Sequence, residues 1–230
     1  MPHPYPAPLD NLVHESLRFA QGYLGASAAL FFWVDPSRNA MQVQHAIGVP
    51  AGLLDQYELG MHRFDPMEAS QMIRSGKKVG FLDEGYATPR GTDMDRYKGY
   101  LNSFGVASTI DLMFWSQGRP FGGIGLLKTT TDPTITLPKD RVCELQGFLE
   151  ISLGQHPHVS RVLVDVLLEQ RGLSHRERQV VRLVEAGASN RDIAQEMGIT
   201  VGTVKTYLVR IFEKLDIKSR TALAIYAAKR

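Results

Sequence analysis

A chain of 230 residues has room for two modest domains. Its 43% hydrophobic content and net charge of +2 describe an ordinary globular protein rather than a disordered or fibrous one. One cysteine, Cys143, excludes an internal disulfide framework and a thiolate-only metal cage. No run of roughly eighteen uncharged apolar residues occurs, and the start, MPHPYPAPLD, lacks the order of a signal peptide, so a soluble, cytoplasmic protein with no membrane partner is expected.

The prolines of the opening residues predict an extended arm. From 9 to about 24, Leu9, Leu12, Val13, Leu17, Ala20 and Leu24 recur at helical spacing. AALFFWVD (28–35) and MQVQHAIG (41–48), separated by Pro36-Ser37-Arg38-Asn39, read as a β-hairpin, because β-branched and aromatic residues flank turn chemistry. Helical patches follow at 53–59 and 66–75, then a strand at 78–83 and a charged helix at 92–104. VASTIDLMFW (106–115) and FGGIGLLKT (121–129), joined by residues 116–120, form a second hairpin. Pro138 opens a helix carrying Val142, Leu145, Leu149 and Leu153, in which Cys143 is expected to be buried. This order describes an α+β chain. Residues 1–155 form an α/β/α sandwich around one antiparallel sheet, and a small all-α domain follows.

His156-Pro157-His158 interrupts the pattern, and 156–172 reads as a linker helix with Val159, Val162, Leu163, Val166 and Leu167 on one stripe. Such a stripe wants a partner, either its own first domain or the same helix of a second subunit. Within 173–230, Ser174 and Glu177 stand at capping-box spacing, and the helix they open ends at Ala186-Gly187. Ser189 and Asp192 repeat the signal for a short helix holding Ile193, Ala194 and Met197, which stops at Gly198. Thr200 caps the next helix, running to Leu215. Its Val204, Leu208, Ile211 and Leu215 share one face, and Lys205, Thr206, Val209, Arg210 and Glu213 fall on the other. Ser219 opens a last helix bearing Ala222, Leu223 and Tyr226.

Helix, tight glycine-containing turn, helix is the helix-turn-helix arrangement, whose second helix enters the major groove of double-stranded DNA. Lys205, Thr206 and Arg210 supply the donors that base edges require. From Leu173 onward eleven Lys or Arg face six acids, so the rest of the chain carries −3 and the positive charge lies where DNA would sit. Arg176, Arg178 and Arg182 read as solvated surface charges. A single reading helix contacts few base pairs, so a homodimer is expected, with the linker stripe and Ala222, Leu223 and Tyr226 as its contacts.

The stretch LSHRERQVVRLVEAGASNRDIAQEMGITVGTVKTYLVRIFEKLDIKSRTALAIYAAKR resembles the LuxR-type helix-turn-helix domain over nearly its full length. The match is carried by Ala186-Gly187, Ser189-Asn190, Ile193-Ala194, Thr203-Val204-Lys205, Ile211, Lys214-Leu215 and Arg220. Tyr207 departs from the histidine common there, although its phenol can still donate to a phosphate. The resemblance implies that Lys205, Thr206 and Val209 face bases and that Lys214 and Arg220 contact phosphates. Ser189, Asn190, Thr203, Tyr207 and Arg210 complete the expected DNA-contacting set, and RNA polymerase is the implied protein partner.

The layout of 1–155 is shared with sensor domains of the GAF, PAS and autoinducer-binding kinds. LLDQYELGMHRFDPM (53–67) is similar to the middle of the LuxR autoinducer-binding domain, where an Asp-Pro pair, here Asp65-Pro66, supplies the carboxylate that takes a ligand amide N–H. Leu53 stands where that family has the tryptophan that donates to a lactone carbonyl, and the Tyr57-to-Asp65 spacing is one residue short. An acyl-homoserine lactone is therefore not the expected ligand. Asp65 also fits a helix N-cap, with Pro66 first and Glu68 third in the helix. Phe32, Tyr57, Met61, Phe64, Met72, Tyr86 and Trp115 are candidates to line an apolar cavity for a small apolar or amphipathic molecule. Of these and Asp65, the expected ligand contacts are Phe32, Tyr57, Met61, Phe64, Asp65 and Trp115.

Catalytic constellations are not found. His156 and His158 lack neighbouring acids for a metal site, and Gly122-Gly123-Ile124-Gly125 lies inside a strand rather than opening a helix over phosphate. No enzyme activity, metal or cofactor is expected. The function expected is DNA-binding regulation under small-molecule control. The alternative is a ligand-independent dimeric regulator whose first domain serves dimerisation or protein interaction.

Overall fold

The computed structural model describes residues 7–35, 40–82, 91–132 and 138–228, and the chain divides into two compact units, 1–156 and 157–230.

The first unit opens with α1 (Ala7–Leu24), which buries Val13, Leu17, Ala20 and Leu24. Helix begins at Ala7 and takes Pro8 into its first turn, earlier than the proline pattern predicts, because no backbone N–H is needed there. The rest of the expected arm, residues 1–6, lies outside the described residues. Five strands follow: β1 (Ala28–Asp35), β2 (Ala40–Ile47), β3 (Val79–Phe81), β4 (Val106–Ser116) and β5 (Arg119–Thr129). They form one antiparallel sheet in the order β2-β1-β5-β4-β3. The expected turn at 36–39 lies outside the described residues.

The second hairpin is tighter than its sequence suggests. Its strands continue to Ser116 and Arg119, and Gln117 (φ 51°) and Gly118 (φ 75°) reverse the chain alone. Positive φ at both central residues matches the right-handed twist of the paired strands. Pro120 is absorbed opposite Trp115, beside a register irregularity where its missing N–H costs little.

α1 and α5 (Lys139–Gly154) cover one face of this sheet. The other face is covered by α2 (Leu53–Leu59), α3 (Ala69–Ser75) and α4 (Gly91–Ser103), which close a core on Leu30, Phe32, Val34 and Met113. Cys143 is exposed, contrary to expectation, because the buried stripe of α5 falls on Val142, Leu145, Gln146, Leu149 and Leu153. α3 also starts later than expected, at Ala69. The Glu68 side chain caps it by accepting from the Ser70 N–H at 3.0 Å, while Asp65 and Pro66 form a turn after a short 3-10 segment, Met61–Phe64.

The second unit contains α6 (Pro157–Gln170), α7 (His175–Glu185), α8 (Asn190–Met197), α9 (Val201–Leu215) and α10 (Arg220–Ala228). Its core joins Leu168 of α6 to Val180, Val184, Ile193, Val204, Leu208, Ile211 and Leu223. α6, the expected linker helix, is thus anchored within this unit. Arg182 pairs with Asp165, and Arg178 with Glu169 at 3.5 Å and with the Leu173 carbonyl at 2.9 Å. Arg178 and Arg182 are clamps between α6 and α7 rather than solvated charges. Leu223 is likewise fully buried in the core, not presented for pairing, and Ile225 is the exposed apolar residue of α10. Among the described residues, no helix is long and apolar enough to cross a membrane.

Candidate nucleic-acid interface and acidic cavity

The local signals that start α7 and α8 are satisfied reciprocally. The Ser174 and Ser189 hydroxyls accept from Glu177 N–H and Asp192 N–H, and both acids return to the N–H of their serine. Gly198, at φ 64°, ends α8 in the left-handed conformation, and Thr200 caps α9 by accepting from Thr203 N–H at 3.1 Å. α9 then buries Val204, Leu208, Ile211 and Leu215 and leaves Lys205, Thr206, Val209 and Arg210 exposed together. Val209 is 55% exposed, an apolar side chain held in solvent on the same face as two cations. The Thr206 hydroxyl donates to the Gly202 carbonyl, which leaves its acceptor lone pairs outward. Tyr207 is half-buried against the core, and Ser189, Asn190 and Thr203 sit at the starts of α8 and α9.

Lys214 and Arg220 are placed differently from that group. Lys214 Nζ donates to Glu177 at 2.7 Å and to the Gly172 carbonyl at 2.8 Å. Arg220 donates to Asn190 Oδ1 at 3.0 Å and to the Ala188 carbonyl. Burial alone would raise the Glu177 carboxyl, but the hydrogen bonds from Lys214 and Ser174 outweigh it and hold the group below its ordinary range. Both cations brace the helix-turn-helix from within.

The first unit contains a cavity of about 50 Å³ whose walls include Leu30, Tyr57, Tyr97, Tyr100 and Leu127, with Asp65, Thr109 and Asp111 as polar members. Tyr57 and Asp65 of the expected ligand residues line it. Phe32, Met61, Phe64 and Trp115 instead belong to the surrounding core, as does Met72, and the Phe64 ring carries the Arg96 guanidinium at 4.4 Å. Tyr86 lies outside the described residues. Asp65 Oδ1 accepts from Met67 N–H, and Oδ2 from the Tyr57 hydroxyl, each at 2.8 Å. Its cap therefore closes a turn two residues long rather than starting a helix at Pro66.

Sequence reasoning missed Asp111, Thr109, Tyr97, Tyr100 and Gly125. Thr109 and Asp111 are two apart on β4 and so share a face. Asp111 pairs in register with Gly125 of β5, where an added Cβ would meet Asp111 Oδ1 at 3.2 Å and Leu30 Cγ at 3.3 Å. The glycine lets both side chains lie close against bare backbone. The available signal was a polar pair at period two inside a strand otherwise buried, opposite a glycine. Asp111 sits deep among protein atoms and keeps part of its surface on the cavity; burial and then the charge of Asp65 push its carboxyl well above the ordinary range. Burial likewise raises Asp65, to about 6, against the hydrogen bonds from Met67, Tyr57 and Tyr97.

Residues 171–227 match a family described as bacterial regulatory proteins, luxR family. A monoamine regulon transcriptional regulator of Klebsiella aerogenes is 24% identical over 222 residues, which cover 93% of this chain and 89% of that protein. The transcriptional regulatory protein LiaR of Bacillus subtilis (strain 168) is 40% identical over 60 residues, but these cover 26% of this chain and 28% of LiaR. Among solved structures, SdiA in complex with octanoyl-rac-glycerol aligns over 96% of this chain and 87% of that chain, with a TM-score of 0.51 at 15% identity. Escherichia coli SdiA in the space group P6522 gives the same TM-score at 16% identity, covering 96% of this chain and 90% of that one. At these identities the likeness to SdiA is one of fold.

Proposed function

We propose that this chain, whose residues 171–227 match the luxR family of bacterial regulatory proteins, is a transcriptional regulator whose first unit controls DNA binding through a small molecule held in the acidic cavity. The DNA-reading part rests on one observation: Lys205, Thr206, Val209 and Arg210 stand exposed on one face of α9 while its opposite face is buried. That face presents two cations, a hydroxyl and an apolar side chain suited to a thymine methyl, the groups that major-groove readout uses. Lys214 and Arg220 reach phosphate with the N–H donors that their contacts inside the protein leave over, and Ser189, Asn190, Thr203 and Tyr207 flank them.

Two copies act together in the cytoplasm, each reading a half-site, and engage RNA polymerase from the operator. The surface favoured for pairing is the α1–α5 face, where Phe19, Tyr23, Phe148 and Ile151 are exposed. Phe19 meets Tyr23 at 5.8 Å and Phe148 at 6.3 Å between ring centroids, so these side chains form one contiguous patch. Small-molecule control is supported by the cavity itself. It is supported also by the relative that governs a monoamine regulon and by the fold neighbour solved with octanoyl-rac-glycerol.

Selection of bound duplexes from a random pool with the full chain should yield a two-fold symmetric site that Lys205→Ala fails to enrich. Enrichment of the same site by both proteins would overturn the reading face. A small-molecule cell extract should shift occupancy of that site by the wild type and not by Gly125→Ala, which fills the cavity. An identical response in both would leave the ligand-independent regulator.

A further inference from the structure

The cavity walls offer acceptors without matching donors. The Asp65 carboxylate has about four lone-pair sites, of which Met67, Tyr57 and Tyr97 take three, and the Asp111 carboxylate lies beside the same space. Thr109 is 6% exposed, and its buried hydroxyl meets no partner other than the neighbouring Asp111 carboxyl, which leaves the Oγ1 lone pairs for a donor from outside. Among the described residues, no lysine, arginine or histidine forms an ion pair with either carboxylate. The tyrosine hydroxyls cannot serve a ligand carbonyl, since Tyr57 and Tyr97 donate to Asp65 and Tyr100 donates to the Leu53 carbonyl at 2.7 Å. An anion, an ester or a lactone placed here would meet oxygen lone pairs, whereas a cation would meet a built site.

We propose that the cavity receives a small primary ammonium ion, whose three N–H donors go to the Asp65 and Asp111 carboxylates and the Thr109 hydroxyl within walls of Tyr57, Tyr97 and Tyr100. The proposal rests on the sensor reading above and names its ligand class. Three acceptors match the three donors of an ammonium head, and the aromatic rings add attraction for positive charge. The bare backbone at Gly125 lets the Asp111 carboxyl settle at the floor of the cavity, and a volume of about 50 Å³ suits a compact head group rather than a long acyl chain. Because burial raises both carboxyls, and the charge of Asp65 raises Asp111 further, a bound cation lowers them again, and binding near pH 6 releases protons to the buffer.

Calorimetry on the full chain with 2-phenylethylamine, propylamine and the neutral isostere 2-phenylethanol tests this. The amines should bind at least about 10-fold more tightly than the alcohol, with heats at pH 6 that change with the ionisation enthalpy of the buffer. Asp111→Asn should weaken amine binding by about 10- to 100-fold while melting no lower than wild type, which separates lost recognition from lost folding. Thr109→Val should weaken it less. Equal affinity for amine and alcohol, failure of both amines to bind, or an Asp111→Asn protein that binds amine as tightly as wild type would each overturn the proposal. A response to the alcohol that Gly125→Ala abolishes would refute the ammonium ligand and keep the cavity as a sensor. Loss of any cavity-dependent response to the cell extract would remove the sensor as well.

Discussion

In the second unit Glu177, 2% exposed, receives the Lys214 ammonium and the Ser174 N–H, and its charge is fully answered inside the fold. In the first unit Asp65 and Asp111 are enclosed as well, yet no cation of the described residues pairs with either. A carboxylate that secures the fold is matched where it is buried; one left unmatched beside a cavity costs stability, as expected of a group that a ligand would match. Their pH dependences consequently have opposite signs. Glu177 is held below its ordinary value, so its stabilisation is present above about 4.3 and fades as pH falls through its folded value. Asp65 is raised to about 6, so it costs nothing below about 3.9 and progressively destabilises the first unit as pH climbs from there to about 6. Residue-resolved hydrogen exchange should accordingly find α2 and β4 better protected at pH 5 than at pH 7, with no such gain in α7 and α9.

The contrast can be broken most forcefully at Glu177. Glu177→Ala strips a cap and leaves the partly exposed Lys214 unpaired, and it should cost the second unit about 2–3 kcal/mol in denaturant unfolding. A loss under about 0.5 kcal/mol would mean that the pair is not structural. Lys205→Ala, on the exposed face of the same unit, should leave unfolding unchanged and weaken operator binding by about 1–3 kcal/mol at fixed salt. In the first unit the sign reverses: Asp111→Asn should raise the stability of the ligand-free protein at pH 7 by about 1–2 kcal/mol and flatten its gain toward pH 5. A destabilised Asp111→Asn protein would show that this carboxylate serves the fold. Ser189→Ala should cost about 1 kcal/mol, seen as faster exchange in α8, because the cap acts on one short helix.

The second unit was the more legible in the amino-acid order. Val204, Leu208, Ile211 and Leu215 announce their shared face by spacing, and Ser174–Glu177 and Ser189–Asp192 announce helix starts, because each interaction spans three or four residues. Both hairpins were legible for the same reason, apart from the tight Gln117-Gly118 turn that carried the strands further. Leu223 was misjudged, since an apolar row says that something covers it and not what. The cavity was least legible. Tyr57 and Asp65 lie near each other in the chain, but Tyr97, Tyr100, Thr109 and Asp111 come from later elements, and the registers Leu30↔Gly125 and Asp111↔Gly125 assemble the floor. Periodicity thus determines which face of an element is apolar. An unfilled space depends on how several distant elements pack together, and that is settled only when the sheet closes over residues that no local pattern connects.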